Sequence, residues 1–248
     1  MIPPTQPPPA PPVERHPFWG FADMFLFIGL ALPAMVGGGL AVKAAAWALH
    51  WKPKARALEL VPAEFLGYTF LFAALYVLFR VQYDRPFWRS LGWLPMGLGA
   101  TRIVVTGALL AFGVALLGAL LRVPDADTPM KQLLSDRPSV FLIAVFGVTL
   151  GPVFEELAFR GFFQPLLVRV AGRVGGVLLA ALPFGLLHLQ QYGFSWRHAV
   201  LVCCAGVCFG WMKEVTGSTK AAALMHAAYN GIFFLGFLAQ RRELHHPW

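Results

Sequence analysis

The chain has 248 residues, 58% hydrophobic and 13% charged, with mean hydropathy +0.63. Soluble domains are roughly 45–50% apolar and about 25% charged, so this composition excludes an ordinary soluble domain and points to an all-α membrane bundle of about seven to eight helices. The net charge of +8 is scattered between apolar runs, which argues against a nucleic-acid stripe and for short loops at anionic headgroups.

Residues 1–17 begin MIPPTQPPPAPPV. They are expected to form a Pro-rich, disordered tail, without the charged start and apolar core of a signal peptide. Residues 18–248 are expected to form one membrane-embedded domain. The first apolar segment runs from about Phe21 to Val42, with Asp23 near its start; Pro33 and Gly37–Gly39 predict a kink or break in it. The second runs from about Ala63 to Val81 and the third from about Thr101 to Leu121. The fourth, Val140 to Phe154, is short for a span, and a second helical piece, Glu155 to Val170, is expected after Pro152. The fifth (Val174–Leu189), sixth (Ala199–Met212) and seventh (Ala221–Ala239) complete the set. Trp47, Trp51, Tyr83, Trp88, Trp93, Tyr192, Trp196 and Trp211 fall at segment ends, as an interfacial belt does. Lys and Arg are nearly balanced between alternate loops, so charge does not set orientation. Cys203, Cys204 and Cys208 share one apolar segment and read as small buried side chains rather than a disulfide framework.

Against this background two adjacent carboxylates stand out. Glu155 and Glu156 lie in FGVTLGPVFEELAFRGFF, and a charge at membrane depth costs several kcal/mol, so it is usually paired and functional. On a helix Glu156 and Arg160 share a face and can pair. Glu155 is rotated by about 100° from Glu156, has no local cation, and is the one free to face a cavity. Phe184 stands one turn before His188, where it could pack on the imidazole or serve as core. His226 and Asn230 put two polar groups on one face of an apolar helix; each motif alone fits simple interhelical hydrogen bonding.

Together the motifs say more. Glu155, His188, His226 and Asn230 lie on three separate apolar segments, and each is costly to leave unpaired in hydrocarbon. Gathered around water, a Glu and a His can act as general base, and a His and an Asn can donate to an oxyanion. Glu155, His188 and His226 also make a three-ligand set for a catalytic zinc, an alternative that the sequence leaves open. The sequence has no HExxH, no serine elbow and no intramembrane aspartate pair.

EExxxR, FxxxH and HxxxN, in this order and in separate segments, resemble the CPBP intramembrane proteases. That family includes the Rce1-like type II CaaX prenyl endopeptidases and the bacteriocin-processing and immunity proteins labelled Abi. The resemblance covers about residues 140–236. It implies a helical bundle with a recessed site. In that site Glu155 and His188 activate water, His226 and Asn230 stabilise the oxyanion, and Glu156, Arg160 and Phe184 support them; zinc remains an alternative. The expected reaction is hydrolysis of a peptide bond in a membrane-associated or prenylated peptide, with the bilayer as the other partner. The Ala, Gly, Pro and Arg richness suggests a bacterial source and a location in the inner (cell) membrane. Two other readings are a non-catalytic immunity or binding scaffold and a proton-coupled transporter; the absence of an internal repeat speaks against the transporter.

Overall fold

The computed structural model describes residues 16–124 and 127–243, and the expected tail at 1–15 lies outside them. The described chain is helical: α1 (Phe21–Ala48), α2 (Ala57–Val77, continued by a π-helical turn, Leu78–Gln82), α3 (Phe87–Ser90), α4 (Ala100–Leu120), α5 (Pro129–Leu133), α6 (Arg137–Val148), α7 (Leu150–Glu156), a π-helical segment (Leu157–Phe163), α8 (Gln164–Leu187), a 3₁₀ turn (Gln190–Tyr192), α9 (Trp196–Thr216) and α10 (Thr219–Glu243). Among the described residues six helical stretches are long and apolar enough to cross a membrane. This is a helical membrane bundle, as composition implied.

One of the six stretches runs from Arg137 to Leu187, 51 residues, far more than the roughly 20 that a bilayer needs. Two breaks divide it. At Thr149 the backbone leaves helical geometry (φ −124°, ψ −86°). At Gly172 it turns with φ 71° and ψ 173°, a conformation open to glycine because it lacks Cβ. Beyond Gly172 the chain folds back. A Cβ placed on Gly176 would lie 2.5 Å from Val168 Cα, whereas eight residues of straight helix would separate them by about 12 Å. The arms before and after Gly172 thus form a tight hairpin.

Two expected breaks are corrected. The interruption near Pro152 falls at Thr149 instead; Pro152 sits in the first turn of α7, where a missing N–H leaves no helical bond unmade. Glu155 and Glu156 therefore end α7 rather than begin a new piece. Pro33 and Gly37–Gly39 do not break α1, which is continuous. Gly38 serves close approach: a Cβ there would come within 2.3 Å of the Ala63 carbonyl oxygen on α2, and one on Gly67 within 2.6 Å of Met35 Sδ on α1. Small residues let two helices meet backbone to backbone, a common contact where lipid removes the hydrophobic drive for association.

The chain packs from just ahead of the boundary expected at residue 18. Pro17 is buried, and its carbonyl accepts from Arg169 Nη1 at 2.8 Å. Trp19 is fully buried, stacks on Phe79 and Phe162, and donates its indole N–H to the Phe162 carbonyl at 3.0 Å. Asp23 has a structural task. Its Oδ2 accepts from the Gly20 amide at 2.8 Å and the Tyr83 hydroxyl at 2.7 Å, tying the start of α1 to the end of the second span. This aromatic group clamps the π-helical segment that follows the glutamates. Irregular helical turns of that kind recur at functional sites.

Candidate active site

Glu156 is fully buried, and so is Arg160 four residues on. The pair forms as the spacing predicts, Arg160 Nη1 donating to Glu156 Oε1 at 3.0 Å. Arg160 also donates from Nη2 to the Gly206 carbonyl of α9 at 2.7 Å, with its guanidinium carbon 4.5 Å over the Phe184 ring. One turn later Gln164 Nε2 repeats the contact, donating to the Gly210 carbonyl at 3.0 Å. Glycine at both α9 positions leaves room for these contacts. A Cβ on Gly206 would come 3.0 Å from Phe184 and 3.2 Å from Arg160, and one on Gly210 would come 2.7 Å from Gln164. The helix that bears the glutamates is thus keyed to α9 through two bare backbone positions.

His226, on α10, joins the pair from 70 residues away. Its Nδ1 lies 3.0 Å from Glu156 Oε1. A carboxylate oxygen that already takes the Arg160 proton donor accepts here too, so Nδ1 carries the hydrogen. The other nitrogen, Nε2, faces Glu155 Oε2 at 3.8 Å. That is beyond direct hydrogen-bond range and leaves room for an oxygen to meet both groups. Phe209 stacks on the His226 ring at 4.4 Å and fixes its plane. The Glu155 side chain keeps 20% of its surface exposed, against none for Glu156. The two carboxylates take separate environments, as their rotation about the helix requires.

His188 follows the last turn of α8 and sits 2.7 Å from the Phe184 carbonyl through Nδ1. A carbonyl only accepts, so Nδ1 donates, and in the neutral ring Nε2 keeps the lone pair. Phe184 packs its ring 4.9 Å from the His188 ring and 5.8 Å from that of His226; one aromatic side chain spaces both imidazoles. Asn230 donates from Nδ2 to the Gly147 carbonyl at 2.7 Å, at the end of α6 just before the Thr149 break. Its second N–H and its Oδ1 have other uses open to them. The structure thus joins Glu156, Arg160 and His226 directly, with Glu155 3.8 Å from the far nitrogen of His226. His188 comes in through Phe184, and Asn230 sits one turn beyond His226.

Three groups within electrostatic reach of Glu155 do not stand out in the sequence. Glu64 and Tyr68 of α2, one turn apart, both interact electrostatically with Glu155; Tyr68 also stacks on Phe154 at 4.9 Å. Tyr192, assigned above to the interfacial belt, is the third. Burial, and after it the Glu155 charge, push its hydroxyl above the usual tyrosine range. A Glu-x-x-x-Tyr pair in an apolar segment is the signal that could have found the first two.

The zinc alternative meets a specific test. Among the described residues no three His, Cys, Asp or Glu side chains gather as a metal site requires, although the Nδ1 contacts of His226 and His188 leave Nε2 of each ring open.

A helical membrane protein with a carboxylate and histidine cluster inside its bundle is the class that fold and site define. Residues 137–232 match the family model described as Rce1-like, type II CAAX prenyl endopeptidase. The match holds all three motifs and bears out the resemblance drawn from them. It supports a protease embedded in the bilayer. No curated protein and no solved structure matches the chain.

Proposed function

We propose that the chain is an intramembrane endopeptidase in which Glu155 activates the water that attacks the peptide carbonyl. The observation that carries this reading is the relay Arg160–Glu156–His226–Glu155. Glu156, held by Arg160, orients His226 through Nδ1, as a buried carboxylate orients the base of a catalytic triad. His226 then presents Nε2 beside the one carboxylate that remains partly accessible. A water between Glu155 Oε2 and a histidine nitrogen loses its proton to Glu155 as it attacks the carbonyl carbon. The proton passes to the leaving amine in the second half of the reaction.

His188, with its lone pair at Nε2, is the second group able to hold that water. Asn230, through its free N–H, and His226, when protonated at Nε2, can donate to the oxyanion. The part given to His226 is wider than the sequence suggested, because Glu156 fixes its tautomer and sets it up for proton transfer. The substrate class that fits is a membrane-associated peptide, with a prenylated CaaX-type peptide as the form the family favours, and the proposed site of action is a bacterial cell membrane. Residues 18–248 act as one domain in this reading.

The test is cleavage by purified Glu155→Gln protein of two membrane-associated peptides, one prenylated and one not. The variant should keep the wild-type melting profile and lose cleavage of whichever peptide the wild type cuts. Full cleavage by the variant would exclude Glu155 as the base.

A further inference from the structure

A second site lies at one end of the bundle, away from the glutamates. It is a cavity of about 480 Å³, and neither Glu155, His188, His226 nor Asn230 lines it. Its charged walls are basic: Arg85 and Arg89 from the connection after the second span, and Lys213 from the last turn of α9, with His16 beside them. No acidic side chain lines it among the described residues. Neither Arg89 nor Lys213 takes part in a salt bridge within the described chain. Glu214, next to Lys213, gives its carboxylate to Gln164 at 2.9 Å and Arg173 at 3.2 Å. Burial, and after it the Lys213 charge, hold His16 below the ordinary histidine range.

The cavity sits at the level where spans end. The first span starts at Phe21, the second ends at Gln82, the fifth ends at Thr216 and the sixth starts at Thr219. Its floor is rigid. The loop after α3 is pinned to the α9–α10 turn by Thr219 N–H to Gly92 O at 2.8 Å, Thr219 Oγ1 to Leu91 O at 2.7 Å and Ser218 Oγ to Leu94 O at 2.7 Å. Gly161, next after Arg160, also lines the cavity, and a Cβ there would meet the Leu91 carbonyl oxygen at 2.8 Å. Basic pockets between spanning helices at headgroup depth suit phosphate groups, because Arg and Lys donate several charge-assisted hydrogen bonds where water is scarce.

We propose that this cavity binds a phosphate-bearing group at the membrane surface, held by Arg85, Arg89 and Lys213. The ligand chemistry is a phosphate ester, supplied by an anionic phospholipid headgroup or by a soluble phosphate compound. Binding would brace the backbone one residue from Arg160, so a loaded cavity stiffens the helix that carries the glutamates. The proposal does not depend on the protease reading.

The test uses the full chain in a neutral detergent. Short-chain phosphatidylglycerol and glycerol phosphate are titrated separately, with the melting midpoint and native mass spectrometry as readouts. Wild-type protein should bind and melt higher with at least one probe. Binding of the lipid alone assigns the site to a headgroup with its acyl chains; binding of both assigns it to the phosphate itself. Arg89→Gln with Lys213→Gln should bind about tenfold or more weakly. Lys52→Gln with Lys54→Gln, exposed at the opposite end of α1, should bind as wild type. Should the double variant not fold, Arg89→Gln alone, at an exposed position, should still weaken binding about fivefold. No binding of either probe by the wild type, or equal binding by the Arg89 variants, overturns the proposal.

Discussion

The α1–α2 pair and the α7–α10 group hold helices together in opposite ways. In the first pair the outward faces are apolar, with Leu32 73% and Leu40 62% exposed, and the contact rests on glycines that bring backbones close. In the second group the contacts are polar and fully enclosed: Glu156, Arg160 and Gln164 are each 0% exposed and His226 is 4%. In lipid, apolar side chains gain little by meeting one another, so close packing or hydrogen bonding must supply the association. Packing by small residues needs no chemistry and does none. Buried polar contacts cost desolvation and gain a specific arrangement of reactive groups, and the chain places its carboxylates, imidazoles and amide on that side.

The comparison can be broken most sharply at Glu155. Its change to glutamine keeps shape and removes the base, so cleavage should fall by about 10²–10⁴ with little change in melting. Next is Arg160→Ala, which strands Glu156 beside His226 in a dry interior. Removing one partner of a buried pair costs about 3–5 kcal/mol, and activity should fall with stability. An unchanged Tm with lost activity would mean that Arg160 acts on the reaction rather than on the fold. Gly38→Val tests the other region. Forcing a side chain against the Ala63 carbonyl should cost about 1–3 kcal/mol in thermal unfolding, while cleavage measured well below Tm keeps most of its wild-type rate. The smallest effect belongs to Leu32→Ala on the lipid face. It should stay within about 0.5 kcal/mol, and a larger loss would show that this face of α1 has a partner.

Some of this was legible along the chain. The Glu156–Arg160 pair and the Phe184–His188 contact both span one helical turn, and a turn has fixed geometry whatever surrounds it. The distinction between the two glutamates follows from the same rotation and survives. What changes is its content: Glu156 is shared between Arg160 and His226, and Glu155 faces the far nitrogen of that same ring. Neither Asn230 reaching Gly147 nor Glu64 standing near Glu155 can be read from spacing, because each depends on the register between helices far apart in sequence. The break at Thr149 misled for a related reason. Proline is the stronger local signal, yet in a first turn it costs no hydrogen bond.

The sequence alone determined the class of environment, since so apolar a chain cannot be buried by folding on itself and needs lipid around it. It determined the short-range pairs, since covalent geometry and the helical repeat carry them. Tertiary structure decided which residues meet across helices: the hairpin at Gly172, the glycines of α9 and the placement of His226 between two carboxylates. Those contacts depend on the summed fit of many small and bulky side chains, and that sum exists only once the helices have packed.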